Sequence, residues 1–334
     1  EHSIMDEVVF AKKLETAFRQ MWQQWCEQET AEKHELSSSQ IKLPQAEVDA
    51  VLALYNQGQM NLALDALEPL IKAYSNEALL YNIQGGCYQS LGNLDVAMSC
   101  YKKALENKPD YIEALNNLGC VLQGLGLFDA AIKYYEQVLE INPNFIEAHT
   151  NFANALRKLG QYNAAIKHYE RAIEINPMFF AAHNSLGNAV RILGQFDKAI
   201  KCYERAIEIN PNYAEAYNNL GSTFQALGQY DEAYVCYERA LKINPEYVGA
   251  HNNLGLAFYH SGELETAIKC YKRALEINPD YAEARSNIGN ALRDLGQYDV
   301  AIKNYKQALE ISPSLLEANN SLLFCLNYHP VRLV

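Results

Sequence analysis

Asparagine side chains recur along this chain at intervals of 34 residues or multiples of 34. One series consists of Asn117, Asn151, Asn219, Asn253 and Asn287. A second series, one place earlier in the same period, consists of Asn116, Asn184, Asn218 and Asn252. A carboxamide both donates and accepts hydrogen bonds, so a row of carboxamides can pair with the backbone of an extended peptide whatever its side chains. The alternative interpretation is the ordinary polar side of a solvated helix.

Basic residues follow the same period. They are Arg157, with Lys158 beside it, Arg191 and Arg293. A row of guanidinium groups can receive carboxylates, but Gln225 and Tyr259 interrupt it, which favours a solvated face instead. Histidines recur at a packing position of the repeated pattern, which predicts core histidines rather than general bases or ligands. They are His149, His183 and His251.

The chain lacks the motifs that would indicate catalysis or a bound group. It contains no CxxC or HExxH pattern, no Gly-rich phosphate loop and no nucleophile elbow. We therefore predict no catalytic residue, no cofactor and no metal site, and we expect this chain not to be an enzyme by itself.

The elements that carry these side chains repeat as a unit. Prolines stand at 109, 143, 177, 211, 245, 279 and 313, and glycines at 92, 126, 160, 194, 228, 262 and 296. Tyrosines stand at 101, 135, 169, 203, 237, 271 and 305. A fixed period of this length indicates a stack of supersecondary units rather than one globular core.

The unit beginning at Ala214 illustrates the pattern. In its first half Tyr217, Leu220 and Phe224 form one apolar stripe at helical spacing. Gly228 then predicts a turn, because a residue without Cβ adopts positive φ without steric cost. The unit is therefore expected to contain two antiparallel helices.

The second helix of this unit has its own start and stop signals. Asp231 lies where an N-cap would open it, and Tyr237 lies on its inward face. Asn244 precedes Pro245, so we expect the helix to end there, with the asparagine in a left-handed cap.

This pattern resembles the tetratricopeptide repeat. The family's positions 4, 7, 8, 11, 20, 24, 27 and 32 are occupied in this unit by Tyr217, Leu220, Gly221, Phe224, Ala233, Tyr237, Ala240 and Pro245. Seven consecutive units match, at 78–111, 112–145, 146–179, 180–213, 214–247, 248–281 and 282–315, and 44–77 is a degenerate unit. We call the degenerate unit repeat 1 and the others repeats 2–8. The resemblance implies an all-α fold, a right-handed superhelix (α-solenoid) of stacked helical hairpins.

The first helix of each repeat presents two opposite sides. Positions 4, 7, 8 and 11 cluster on one side, and positions 2, 5, 6, 9, 12 and 13 cluster on the other. Position 3 is mostly alanine, which lets neighbouring hairpins approach closely. The two asparagine series occupy positions 6 and 5, and the arginines occupy position 12, so all are predicted to face the open inner surface.

The two ends of the chain carry a second resemblance. Ser321–Pro330, SLLFCLNYHP, is similar to the junction between repeats and catalytic domain in O-linked N-acetylglucosamine transferases of the SPINDLY-like family. Met5–Cys26 is similar to the last helix of such catalytic domains. In that family the position-6 asparagines hold the substrate backbone. The resemblance implies that this chain is the substrate-recognition region of a similar glycosyltransferase; the alternative is a stand-alone scaffold that assembles protein complexes.

Both terminal segments lie outside the repeats. The pattern predicts that residues 1–36, which contain both tryptophans, Trp22 and Trp25, form an amphipathic helical segment, followed by a linker at 37–43. One interpretation is a cap on the solenoid. The other is a remnant of a neighbouring domain, whose aromatic face would dock on a second chain and give a homodimer. Residues 316–334 fit a terminal helix and a junction.

Charge and cysteine content limit the partners. The formal net charge of -12 argues against nucleic acid or an anionic membrane surface as a partner. Four cysteines share position 23, and equivalent positions in stacked hairpins lie about 10 Å apart, too far for a disulfide. Free thiols and the lack of a signal peptide or a membrane-spanning run predict a cytoplasmic protein that binds extended peptide or protein segments.

Overall fold

The structure is a computed structural model that describes residues 43–328. Within this range the chain forms seventeen α-helices and no strand. In chain order they are α1 Gln45–Asn56, α2 Met60–Ala73, α3 Ala78–Ser90, α4 Leu94–Asn107, α5 Ile112–Gly124, α6 Phe128–Ile141, α7 Ile146–Lys158, α8 Tyr162–Ile175, α9 Phe180–Ile192, α10 Phe196–Ile209, α11 Ala214–Ala226, α12 Tyr230–Ile243, α13 Val248–His260, α14 Leu264–Ile277, α15 Ala282–Asp294, α16 Tyr298–Ile311 and α17 Leu316–Tyr328. The predicted all-α fold of helical hairpins is confirmed.

The chain divides into two compact units, Glu1–Pro109 and Asp110–Val334. In the first, helices α1–α3 enclose one apolar core, which includes Val48, Leu67, Leu80 and Ile83. In the second, helices α5–α17 stack in chain order, and each packs mainly on its neighbours in sequence. The odd-numbered helices are the first helices of the repeats, called helices A below, and the even-numbered ones are helices B.

Helices A and B of one repeat meet at a seam formed by positions 8 and 24. The position-24 tyrosines are fully buried, with at most 1% exposure: Tyr101, Tyr135, Tyr169, Tyr203, Tyr237, Tyr271 and Tyr305. A Cβ on Gly187 would lie 2.6 Å from Cε1 of Tyr203, so glycine is what lets the ring pack against the backbone of helix A. Repeat 4 has Ala153 at this position instead.

The turn between the two helices follows the sequence prediction. Gly228 has φ of 76°, and the backbone N–H of Gln229 donates to the carbonyl of Phe224 at 2.9 Å. This is a Schellman motif, which satisfies the last carbonyls of helix A. The predicted positive φ is therefore confirmed at Gly228, and equivalent glycines of the other described repeats share it.

Two details of the second helix differ from the prediction. Helix α12 begins at Tyr230, after Gln229, so Asp231 lies inside its first turn and is not the N-cap. After the Schellman turn, the helix begins earlier in the chain than the position of Asp231 suggested. Asn244 is extended, with φ of -129°, rather than left-handed, because a following proline disfavours helical geometry. Its Oδ1 instead accepts a hydrogen bond from the N–H of Glu246 at 3.1 Å.

The predicted amphipathic segment 1–36 and nearly all of the linker 37–43 lie outside the described residues, as do residues 329–334.

Candidate functional site

The position-6 asparagines reach across to the preceding repeat. In four of the five, the Nδ2 atom donates to the Oδ1 atom of a position-5 asparagine, an arrangement that we call the amide clasp. The clasps are Asn151 to Asn116 at 3.2 Å, Asn219 to Asn184 at 2.9 Å, Asn253 to Asn218 at 3.0 Å and Asn287 to Asn252 at 3.0 Å. Four pairs of neighbouring repeats, 3–4, 5–6, 6–7 and 7–8, are thereby tied together through two side-chain amides each.

The position-5 asparagines do not face an open surface, so that part of the prediction is wrong. Asn116, Asn184, Asn218 and Asn252 are buried, with 1–8% of each side chain exposed. Asn184 also donates to the hydroxyl of Tyr213 and to the carboxylate of Glu215 in the next repeat. The angular count on one helix could not reveal this, because the atoms that cover position 5 belong to the following repeat.

The position-6 asparagines are half-buried, Asn117 among them. In Asn151, Asn219, Asn253 and Asn287 the Oδ1 atom accepts no hydrogen bond from the described residues and is not buried. Because Nδ2 is committed to the clasp, the orientation of each carboxamide is fixed, with the oxygen left for another donor. We call these five position-6 side chains the amide ladder.

A groove runs beside Asn151. Its volume is about 410 Å³, and it is lined by Cys120, Gln123, Gly124, Gly126, Phe128, Asn151 and Lys158. These residues come from positions 9, 12 and 13 of repeat 3 and positions 6 and 13 of repeat 4, with the turn of repeat 3 at one end. The groove thus joins the predicted ladder to the predicted basic strip.

The two residues of a clasp change together along the sequence, and this covariation is a signal from which the contact between them could be predicted. Where position 5 is Thr150 the next position 6 is Ser185, and where it is Ser286 the next is Ser321. In repeat 1 the residue is Val48, and its counterpart in repeat 2 is Ile83, which lies in the same apolar core. The relevant spacing is 35 residues, one more than the repeat period.

Positions 9 and 12 are also coupled, because one or the other accepts the hydrogen bond of the buried tyrosine hydroxyl in most repeats. In repeats 2, 3 and 6 the hydroxyl donates to the position-12 glutamine, at 2.8 Å, 3.2 Å and 2.9 Å. In repeats 4, 5 and 8 it donates to a position-9 asparagine, at 2.6 Å, 2.9 Å and 2.9 Å. These three repeats have arginine at position 12, which offers no acceptor. Repeat 7 has Leu256 and Tyr259 instead, and the buried hydroxyl of Tyr271 has no hydrogen-bond partner within residues 43–328.

The predicted basic strip contains two kinds of arginine. Arg293 forms an ion pair with Asp294 at 2.9 Å and lies 6.0 Å from the ring centre of Phe324. Arg157 and Arg191 are half-buried, and the Nε atom of each is buried without a hydrogen-bond partner among the described residues. Burial raises the pKa of the Tyr203 hydroxyl to about 12, and the adjacent Arg191 opposes that rise. Lys158 is exposed at the groove.

The position-4 histidines bind backbone rather than ligands. Nε2 of His149, His183 and His251 donates to the carbonyl of the proline six residues earlier, at 3.0 Å, 3.0 Å and 2.9 Å. Only His149 is buried, so the core assignment holds for one of the three. Its Nδ1 lies 3.1 Å from Nδ1 of His168, and burial together with His149 lowers the pKa of His168 to about 4.

Residues 43–328 show neither a metal-binding cluster nor a membrane-spanning helix. No group of three or more His, Cys, Asp or Glu residues there could hold a metal ion. No helix in that range has the length and apolar character to cross a membrane. The cysteines in this range are free thiols, as expected, and burial raises the pKa of Cys100, Cys202, Cys236 and Cys270 to about 11.

Comparison with family models identifies the repeat. A model described as "TPR repeat" matches residues 87–126, 153–191 and 187–228. Models described as "Tetratricopeptide repeat" match residues 112–145, 134–167, 214–247 and 246–314. Together they cover residues 87–314, well over half of the chain. They support a protein-binding repeat scaffold and identify no catalytic domain. No curated protein matches the chain in sequence.

Solved structures with a similar fold include a chain of the APC/C hetero-tetramer Cut9-Hcn1, with a TM-score of 0.64 and 17% identity. That match covers 90% of this chain and 59% of the other, so this chain spans less than two thirds of its length. The likeness shows the fold alone, the all-α superhelix of stacked hairpins. MamA matches at TM-score 0.44 and 31% identity over 50% of this chain and 97% of its own. YrrB, whose structure is described as a TPR protein with an unusual peptide-binding site, matches at TM-score 0.43 and 22% identity over 56% of this chain and 96% of its own.

Proposed function

The chain belongs to the tetratricopeptide repeat family, and we propose that it binds extended segments of other proteins along the amide ladder. The observation that carries the proposal is the amide clasp. It fixes four of the five ladder carboxamides, those of Asn151, Asn219, Asn253 and Asn287, by the nitrogen and leaves their oxygens open to solvent. Such an oxygen is oriented before the ligand arrives, so little side-chain freedom is lost on binding.

The ligand contact in this proposal is a backbone N–H of an extended peptide. Each ladder oxygen accepts one such N–H, which contributes about 0.5–1.5 kcal/mol net. Because every residue except proline carries a backbone N–H, affinity depends weakly on side-chain sequence. The groove beside Asn151 offers room for the peptide at one point of the ladder.

The test compares two triple variants. Replacing Asn219, Asn253 and Asn287 by alanine removes three ladder oxygens and three clasps, so peptide affinity should fall by about 2–4 kcal/mol at most. Replacing Asn184, Asn218 and Asn252 by alanine breaks the same three clasps but keeps the ladder residues. The second variant should lose at least as much stability as the first, because Asn184 also donates to Tyr213 and Glu215, whereas the first should lose more affinity.

The measurement is calorimetric titration of several unstructured peptides into the two folded variants and the parent. Unchanged affinity in the first variant would remove the ladder from the function and leave its asparagines a role in joining repeats. Loss of one peptide but not the others would contradict backbone recognition.

A finer proposal follows from the resemblance of Ser321–Pro330 and Met5–Cys26 to SPINDLY-like O-linked N-acetylglucosamine transferases. Here the ladder presents protein substrates to an attached glycosyltransferase in the cytoplasm. The alternative is a stand-alone scaffold that assembles protein complexes. The coding sequence on either side of this chain separates the two: a glycosyltransferase domain encoded there supports the first, and its lack supports the scaffold.

We also propose that residues 1–36 mediate a homodimer through Trp22 and Trp25. Sedimentation velocity of the parent and of a Trp22→Ser/Trp25→Ser variant tests this proposal. A dimeric parent and a monomeric variant would support it, and a monomeric parent would contradict it.

A further inference from the structure

Arg157 and Arg191 are half-buried, and neither has a carboxylate partner among the described residues. Some exposed bases on helices B are paired, such as Arg171 with Glu174 at 2.9 Å and Arg205 with Glu208 at 2.8 Å. Of the other half-buried arginines of the second unit, Arg285 donates to Gln307 at 3.1 Å. Arg293 is paired with Asp294. In a chain with a net charge of -12, two unpaired and half-buried guanidinium groups in successive repeats require an explanation.

Packing does not require arginine at these two positions. In repeats 3 and 6 the position-12 side chain is glutamine, and it accepts the tyrosine hydroxyl. In repeats 4 and 5 the acceptor of the tyrosine hydroxyl is instead an asparagine at position 9, Asn154 or Asn188. The guanidinium groups stay half-buried, and the desolvated Nε–H of each has no acceptor among the described residues. Because no carboxylate of the described residues neutralises their charge, the accessible part of each guanidinium group can receive a carboxylate supplied from outside.

The place of the two arginines in the groove follows from repeat equivalence. The groove between repeats 3 and 4 is lined by positions 9, 12 and 13 of the first and position 6 of the second. Between repeats 4 and 5 the same positions are Asn154, Arg157, Lys158 and Ser185. Ser185 is also the one interruption of the amide ladder between Asn117 and Asn287. By this equivalence Arg157 and Lys158 lie beside Ser185, where the backbone-reading amide is missing, and Arg191 lies beside the ladder residue Asn219.

We propose that Arg157 and Arg191, with Lys158 beside them, form a subsite for acidic side chains of the bound peptide. This inference rests on the proposed peptide-binding function and adds a side-chain preference to it. Equivalent positions in adjacent repeats lie about 10 Å apart. An extended peptide advances about 3.3 Å per residue, so two carboxylates three residues apart match the two arginines.

The test uses two unstructured peptides of serine, threonine and alanine, one neutral and one with two glutamates three residues apart, and measures fluorescence anisotropy of each. The variant is Arg157→Gln/Arg191→Gln, which uses the residue that repeats 3 and 6 already have. The acidic peptide should bind the parent more tightly than the neutral peptide, and the variant should lose about tenfold per arginine for the acidic peptide only. Higher salt should reduce that preference.

The matched control is Arg171→Gln/Arg205→Gln, which changes the net charge equally on exposed arginines of helices B and should leave both peptides unaffected. Equal binding of the two peptides to the parent would overturn the acidic subsite while leaving the ladder intact. Failure of the parent to bind either peptide would overturn the proposed function, and this subsite with it. Equal losses in the variant and the control would show a general charge effect and would also overturn the subsite.

Discussion

The seam inside each repeat, formed by positions 8 and 24, is held together differently from the surface that lines the groove between repeats. We call that surface, formed by positions 5, 6, 9 and 12, the groove face. At the seam, a glycine or alanine at position 8 meets a fully buried tyrosine at position 24 in each of repeats 2–8, with little variation. On the groove face, positions 5, 6, 9 and 12 vary from repeat to repeat, but they vary in pairs. The seam is fixed by close contact, which tolerates few changes. The groove face is fixed by hydrogen bonding, which can be satisfied in several ways.

This difference separates what holds the fold from what can be adapted to a ligand. A tyrosine hydroxyl accepts a glutamine or an asparagine as its partner equally well, so position 12 can become arginine once position 9 becomes asparagine. The two clasp positions likewise hold a pair of asparagines in most repeats and the pairs Thr150–Ser185 and Ser286–Ser321 elsewhere. Predictions on the two regions should therefore differ in size.

The largest expected effect lies at the seam. Tyr203→Ala removes a fully buried ring and leaves a cavity between helices α9 and α10, so the free energy of unfolding should fall by about 3–5 kcal/mol. Tyr203→Phe, the control, removes only the hydroxyl bond to Asn188 and should cost about 1 kcal/mol. Urea unfolding followed by circular dichroism measures both. If both variants lost the same free energy of unfolding, packing of the ring at the seam would not be what stabilises the repeat.

The next effect distinguishes two glycines of one helical hairpin. A Cβ on Gly221 would lie 2.8 Å from Cε1 of Tyr237, so Gly221→Ala should cost about 1–3 kcal/mol by overpacking. A Cβ on Gly228 would meet nothing within 4 Å, but φ there is 76°, so Gly228→Ala should cost about 1–2 kcal/mol through the backbone alone.

Asparagine at residue 228 provides the control for that pair. It tolerates the left-handed region better than alanine does, so Gly228→Asn should recover part of the loss. If Gly221→Ala cost almost no free energy of unfolding, the ring of Tyr237 would have to shift to make room for the methyl group. Repeat 4 already has an alanine, Ala153, at this position.

A smaller effect is expected for one amide clasp. A double-mutant cycle of Asn218→Ala and Asn253→Ala should give a coupling energy of about 0.5–1.5 kcal/mol in urea unfolding. The control cycle pairs Asn218→Ala with Asn287→Ala, whose clasp is with Asn252, and should be additive within about 0.5 kcal/mol. Equal coupling in both cycles would contradict a direct contact and indicate cooperativity along the stack.

The smallest effect is expected where the groove-face rule is broken. The hydroxyl of Tyr271 is buried without a partner, so Tyr271→Phe should leave stability unchanged or raise it slightly. Tyr237→Phe, in which a bond to Gln225 of 2.9 Å is lost, should cost about 1 kcal/mol. Thermal unfolding of the two variants compares them directly. An equal loss in both would mean that Tyr271 finds an acceptor.

Much of the fold could be predicted from the sequence because its determinants are local. The period of 34 residues places the turns, and positive φ at Gly228 follows from the geometry that glycine alone adopts freely. The ends of the second helix were predicted less well. Asp231 and Asn244 each have a side chain that suits more than one role, and the neighbouring Schellman turn and Pro245 decided between them.

The candidate site could be predicted only in part. The sequence by itself determined that asparagines and arginines share one side of helices A, because a helix of known period fixes the direction of each side chain. Only the tertiary structure decided which of them is available to a ligand. Asn218 is covered by Asn253 of the next repeat, and Arg293 is taken by Asp294, whereas Arg157 keeps its guanidinium unpaired by any carboxylate of the described residues. Burial at each position depends on how far one repeat is displaced from the next, and the angular position of a residue on its own helix does not contain that displacement.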